Sequence, residues 1–93
     1  NITRLSEDHR RAKEIGDLLS TLPFIAKVEP IETNIVIFNL TSNVIEKTFL
    51  NQLKSKNIHI SSMGQGKLRM VTHLDYKEVM HEYVLEALSK MQL

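Results

Sequence analysis

Arg69 and His73 are the residues of this 93-residue chain whose types and spacing best suit chemistry. Residues 68–73 favour a half-buried strand, and alternation along it places Arg69, Val71 and His73 on the face opposite Leu68, Met70 and Thr72. A strand-borne guanidinium is always charged, and its planar fork matches a carboxylate. An anion site at Arg69 is therefore one interpretation of the pattern. From spacing alone, a surface arginine whose stem lies over an apolar sheet is favoured.

The elements on either side of that strand set its position. Gly64 and Gly66 allow positive φ angles, which predicts a tight turn that reverses the chain into the strand. Asp75 is predicted to end the strand segment and to N-cap the last helix, with Glu78 completing a capping box. Arg69 is thus expected on a rigid strand between a hairpin turn and a helix.

Apolar residues at helical spacing predict three amphipathic helices. The first is expected over residues 3–22 with Thr3 as its N-cap, and the second begins at a capping box formed by Asn43 and Glu46. The third follows Asp75. The buried stripes are expected at Ala12, Ile15, Leu18, Leu19 and Leu22, then at Ile45, Phe49, Leu50 and Leu53, and last at Met80, Tyr83, Val84, Ala87, Leu88 and Met91.

Four strands are predicted, over residues 24–29, 33–40, 58–62 and 68–73. The first is an edge strand, ended by Pro30. The second is apolar on both faces, which is typical of a central strand. The element order α-β-β-α-β-β-α predicts an α+β fold: a two-layer sandwich with a mainly antiparallel sheet of about four strands and helices on one face. The uncovered face is expected to carry Val36, Phe38 and Val71 and to need a partner surface.

Composition excludes several classes of function. The chain has no cysteine, so neither a disulfide nor a thiolate metal site is possible. A net charge of +1 gives no support to a nucleic-acid partner. No apolar run is long enough for a membrane span, and the expected location is cytoplasmic. The chain contains no recognisable catalytic nucleophile, phosphate-binding loop or metal-ligand spacing, so no catalytic, cofactor-binding or metal-binding residue is predicted within it.

Three segments resemble the threonine aldolases. They are residues 4–12, in which Asp8 and His9 precede Ala12; residues 32–36, which read Glu-Thr-Asn-Ile-Val; and residues 66–75, which read Gly-Lys-Leu-Arg-Met-Val-Thr-His-Leu-Asp. The resemblance implies that residues 1–93 form the C-terminal small domain of a pyridoxal-phosphate (PLP) enzyme of fold type I, the aspartate-aminotransferase-like fold, whose large domain is absent. The first residue is Asn1 and the helical pattern begins almost at once, which fits either a fragment of a longer chain or a processed terminus.

The resemblance implies a reaction and a division of labour. The full-length enzyme would be an aldehyde-lyase that cleaves threonine or allo-threonine to glycine and an aldehyde. Arg69 would bind the substrate carboxylate, and His73 would support the site structurally. The lysine and phosphate-binding groups for PLP would lie in the large domain, so the fragment alone is expected to be inactive. A homo-oligomer is expected at full length.

Two alternatives stay open. The chain could be the small domain of another fold type I PLP lyase or aminotransferase, since such enzymes also use a small-domain arginine for the carboxylate. It could instead be a free-standing α+β module that binds a small anion through Arg69. An upstream large domain with a cofactor lysine would separate the second alternative from the other readings.

Overall fold

The computed structural model describes residues 2–56, 58, 60–72 and 77–92, with side chains from Ser6 onward, and within these ranges it contains three helices and one four-stranded antiparallel sheet. The predicted α+β class and element order are confirmed. The elements are α1 (Ile2–Ser20), β1 (Ile25–Val28), β2 (Ile35–Leu40), α2 (Glu46–Lys54), β3 (Ser61–Gly64), β4 (Lys67–Val71) and α3 (Glu78–Ser89).

The strand order is β1-β2-β4-β3, so β2 and β4 are the central pair. This confirms the predicted edge position of the first strand and the central position of the second. The four strands are offset from their predicted bounds by one to three residues at most ends. The largest offset is in β3, which begins at Ser61, although Ile58 is buried as expected.

The helix starts differ from the predicted caps. Helix α1 already includes Thr3, and the N-cap of α2 is Ile45, which makes no side-chain cap hydrogen bond. The capping box at Asn43 and Glu46 is wrong because both side chains have other partners. The Asn43 side chain accepts a hydrogen bond from Thr41, and a Glu46 carboxylate oxygen accepts one from Ser62 at 2.7 Å.

The N-cap of α3 is Lys77, which likewise makes no side-chain cap bond. Asp75, the predicted cap, lies outside the described residues. Glu78 is not part of a capping box at Lys77, because its carboxylate binds Arg10 and Arg11 on α1.

The core lies between the sheet and the helices. Register pairs Val36 with Met70 and Phe38 with Leu68, and all four side chains are buried. The Phe49 ring of α2 closes this layer, with its centroid 6.1 Å from that of Phe38 and 5.9 Å from that of Phe24. The expectation that Val36 and Phe38 lie on the uncovered face is therefore wrong.

The predicted alternation of side chains along β2 and along β4 is correct. The error lies in which residues of β2 were expected to share a face with Val71 of β4. Pairing of Ile37 with Arg69 and of Ile35 with Val71 brings these four residues onto the open face of the sheet. We use the term open face for the side of the sheet opposite the helices. Ile35, Ile37 and Val71 are half-buried there, and Arg69 is exposed.

Helix α1 approaches the sheet closely at Gly16. A Cβ atom at this position would collide with the Cδ1 atom of Ile31 and contact Val28. Glycine at this position therefore lets the helix and the segment after β1 pack this tightly without displacing the Ile31 side chain.

The predicted helix stripes are correct for most members and wrong at three. Ile45 is 69% exposed, Met80 47% and Tyr83 51%. His81 is fully buried instead, so the apolar side of α3 is rotated relative to the predicted one. No helix in the described ranges is long and apolar enough to cross a membrane.

Candidate anion site on the open sheet face

A two-residue hairpin delivers β4 to the sheet beside β3. Gln65 and Gly66 both have positive φ, 56° and 78°, as a type I′ turn requires. Such turns match the twist of the flanking strands. Gly64, with φ at 90°, forms the irregularity in register just before the turn. The sequence-based prediction of a tight turn here is confirmed.

The far end of β4 is fixed to its neighbours through Thr72. The Thr72 hydroxyl is fully buried and donates to the backbone carbonyl of Asp8 on α1 at 2.8 Å. The Asn34 side-chain amide donates to the Thr72 carbonyl at 3.0 Å. Thr72 is thus a core residue, on the same face of the strand as Leu68 and Met70. His73, the predicted supporting residue, lies outside the described residues.

Four residues form a row across the open face, one from each strand or its end. Arg69 pairs with Ile37 on one side and with Ser61 on the other. Glu29 continues the row beyond Ile37, since its amide donates to the Ile37 carbonyl at 2.9 Å. Directly opposed residues on one face of an antiparallel pair are close neighbours. The row therefore reads Glu29, Ile37, Arg69, Ser61.

Arg69 is a cation without a carboxylate partner in the described part of the chain, where no ion pair includes it. The nearest acid in the row is Glu29, which instead pairs with Lys67 at 2.7 Å. The hydrogen bond from Lys67 lowers the pKa of Glu29 below its ordinary value. The guanidinium of Arg69 thus remains exposed and able to bind an added anion bidentately.

Arg10 and Arg11 on α1 are in a different state. Arg10 binds Glu7, Glu14 and Glu78 at 2.8 to 2.9 Å. These hydrogen bonds, above all the one that Arg10 donates to Glu7, raise the pKa of Arg10 above its ordinary value. Arg11 also pairs with Glu78, at 3.2 Å. Their capacity for charged partners is already used within the fold, so they are poor candidates for a ligand site.

Sequence reasoning missed a titratable pair formed by a buried histidine and a partly exposed glutamate. His81 Nε2 lies 2.6 Å from Glu14 Oε1 where α3 packs on α1, and the His81 side chain is only 1% exposed. This contact, more than any other, lowers the pKa of Glu14. Spacing offered a signal, because His81 precedes Val84 by three positions and Leu88 by seven, on the apolar stripe. The pair lies on the helix side of the sheet, away from Arg69.

His9, one of the residues in the aldolase-like segment of α1, makes a contact within the fold. Its Nε2 atom lies 3.1 Å from the carbonyl oxygen of Ile31. The contact joins α1 to the segment between β1 and β2, close to the packing site of Gly16. His9 therefore helps to hold α1 against the segment between β1 and β2.

The residues that the structure describes do not fit the binding of PLP. A lysine that forms a Schiff base must be desolvated or otherwise depressed in pKa. Every lysine except Lys67 is exposed, and Lys67 is engaged by Glu29. A groove of about 770 Å³ is lined by Phe24, Val44, Ile45 and Met91 among others, but it contains no titratable side chain. Among the described residues, no group of three His, Asp or Glu could hold a metal ion.

Comparison with known proteins identifies a structure with a similar fold but no matching family. No protein-family model matches the chain, and no curated protein matches it. Among solved structures, it is similar to a point mutant of C-DES with glycine covalently linked to its PLP cofactor. The TM-score is 0.73 at 16% sequence identity, over 97% of this chain and 24% of that one.

The likeness to C-DES concerns the fold alone at this identity. This chain spans about a quarter of the C-DES chain, so it has the fold of one part of a PLP-containing protein. That much of the expectation from sequence is supported. The assignment to threonine aldolases and the role of Arg69 stay predictions.

Proposed function

We propose that this chain is the small domain of a fold type I PLP enzyme, a threonine aldolase, in which Arg69 binds the α-carboxylate of the amino acid substrate. The observation that carries the proposal is the exposed Arg69 guanidinium, held on a central strand with no carboxylate partner among the described residues. The C-DES likeness supports the enzyme class, because that protein holds glycine on its cofactor. The Thr-His-Leu-Asp segment after Val71 favours the aldolase branch.

The work of this domain in the reaction would be binding and orientation. PLP, bound by residues outside this chain, would supply the electron sink for cleavage of the Cα–Cβ bond. Arg69 would hold both carboxylate oxygens and so fix the rotation of the substrate about Cα. Ile37 and Val71 lie beside Arg69 on the open face, so its stem has apolar neighbours there. Orientation of this kind contributes substantially to rate, and a misplaced clamp is costly.

The test is substitution of Arg69 in the full-length enzyme. Arg69→Ala should weaken binding of glycine and threonine and lower turnover, with a loss of about 2–4 kcal/mol in transition-state stabilisation. Arg69→Lys should restore only part, since an ammonium cannot reproduce the bidentate fork. Arg10→Ala is the matched control, because Arg10 is engaged by acids on the helices. An unchanged kcat/KM for threonine in well-folded Arg69→Ala would refute the assignment.

The alternatives are separated by the same protein set. The parent enzyme could prove inactive toward threonine, with Arg69→Ala lowering its activity toward another amino acid. That result would favour a different PLP lyase or an aminotransferase. The C-DES likeness is the observation that keeps this alternative in view. A parent chain without a cofactor lysine, combined with anion binding that depends on Arg69, would favour the free-standing module.

A further inference from the structure

Glu29 is the nearest competitor for Arg69 in the sheet. The two residues occupy the same row across the open face, separated only by Ile37. Both side chains are on the same side of the sheet, and long side chains reach across one intervening strand. Lys67 demonstrates this reach, because it contacts Glu29 at 2.7 Å from the neighbouring row, two residues away from Arg69 on β4.

In the structure, Glu29 nevertheless forms its ion pair with Lys67 and not with Arg69. Lys67 and Arg69 are both on β4, and both face Glu29 across β2. The Glu29 carboxylate therefore has two neighbouring cations with which it could pair. Lys27, two residues before Glu29 along its own strand, is the third cation on this part of the open face. It also favours the ionised form of Glu29, but forms no ion pair with it within 4 Å in the described structure. The choice of partner therefore decides whether Arg69 is available.

We propose that Lys67 is a positioning residue for the anion site: by holding Glu29, it keeps that carboxylate from occupying Arg69. The inference rests on the proposed function of Arg69 and deepens it. Without Lys67, Glu29 would turn along its row toward the guanidinium and compete with a substrate carboxylate. Glu29 would then act as an internal competitive inhibitor at Arg69, because its carboxylate has the same chemistry as that of the substrate.

Lys67→Met tests this with Lys27→Met as the matched control, since both remove one lysine charge from the open face. We would record the Arg69 Nε–Hε signal by ¹⁵N NMR of the 93-residue chain at constant ionic strength, because exposed pairs are screened by salt. In Lys67→Met, the signal should follow the titration of Glu29 as the pH is lowered. In the wild type and in Lys27→Met, it should not. Adding Glu29→Gln to Lys67→Met should abolish the response.

Acetate and the substrate provide the functional arm. Lys67→Met should weaken acetate binding at Arg69, and in the full-length enzyme it should raise KM for threonine about two- to fivefold with kcat retained, as fits one exposed ion pair. The double variant with Glu29→Gln should recover wild-type values. A merely structural role of Lys67 would not be rescued by removing Glu29.

The outcomes distinguish the two proposals. If Arg69→Ala does not change carboxylate binding, the proposed function fails. If Arg69→Ala does so but folded Lys67→Met behaves like Lys27→Met in both the NMR and KM measurements, the positioning role of Lys67 is overturned. Should Lys67→Met not fold, Lys67→Gln gives the same comparison with a polar side chain.

Discussion

The two faces of the β2–β4 pair are built from alternate residues of the same strands, yet they contact very different surroundings. On the covered face, Val36, Phe38 and Leu68 are fully buried under the helices. On the open face, Ile37 is half-buried and Arg69 exposed. The contrast teaches that the packing energy of this pair is concentrated on one face. The other face is left able to carry a binding residue at little cost to folding.

Charge divides in the same way. On the helix side, Arg10 is surrounded by three carboxylates, and buried His81 contacts Glu14. On the open face, only Lys67 has an acidic partner among the described residues, and Arg69 has none. Paired charges contribute to holding elements together, whereas an unpaired and exposed cation is free to bind a ligand.

The largest expected effect separates the two faces by packing. Phe38→Ala should destabilise the fold by about 3–5 kcal/mol, since it removes a fully buried ring from between Phe49 and the sheet. Ile37→Ala, its neighbour on the same strand, should cost much less because its side chain is only half-buried. Urea denaturation of both variants measures the difference. Equal losses would show that the open face is covered as well as the helix face.

A smaller effect is expected at the pair of buried His81 and partly exposed Glu14 on the helix side. Glu14→Ala should cost about 1–2 kcal/mol at neutral pH, because it removes a hydrogen-bonded carboxylate from His81, and the exposure of the Glu14 side chain limits the loss. Glu86→Ala is the control, since Glu86 pairs only with exposed Lys90. Thermal unfolding at neutral pH checks the order of the two losses.

The pH dependence of that effect has a defined sign. The folded-state pKa of Glu14 is lowered from 4.5, so the fold favours its ionised form. The stabilisation is complete above the ordinary carboxyl range and is lost as the pH falls through the lowered pKa. The gap between wild type and Glu14→Ala should therefore narrow below about pH 4.5. A gap that widens under acid conditions would contradict the assigned pair.

Local patterns in the sequence predicted the elements well, because each depends on neighbouring residues. Alternation correctly predicted that Arg69 lies on the face of β4 opposite Leu68 and Met70. The two glycines, Gly64 and Gly66, correctly predicted the hairpin turn. What local patterns could not supply is register. Whether Val36 or Ile37 shares a face with Arg69 depends on strand pairing, which is set by contacts distant in sequence. That is why the residues of the uncovered face were wrongly combined.

The candidate site was predictable only in its central residue. Arg69 stands out by type, spacing and family resemblance, but Glu29 and Lys67 join the site through pairing across three strands. The error on α3 has a similar cause. Met80 and Tyr83 are apolar by type, yet His81 takes the buried position because Glu14 on another helix provides a polar partner there.

The smallest expected effect compares the two arginines by stability alone. Arg10→Ala should lower the melting temperature slightly at low salt, because it removes its own contact with Glu78 of α3, although that of Arg11 remains, as well as two contacts within α1. The difference should shrink at high salt, since the charges involved are exposed and therefore screened. Arg69→Ala should leave the melting temperature unchanged at either salt concentration, because Arg69 has no ion pair to lose in the described structure and its neighbours Ile37 and Val71 remain. Thermal scans of both variants at two salt concentrations measure this. A salt-dependent loss in Arg69→Ala would mean that the arginine is already paired within the fold. The site would then have to release that partner before it could bind a carboxylate.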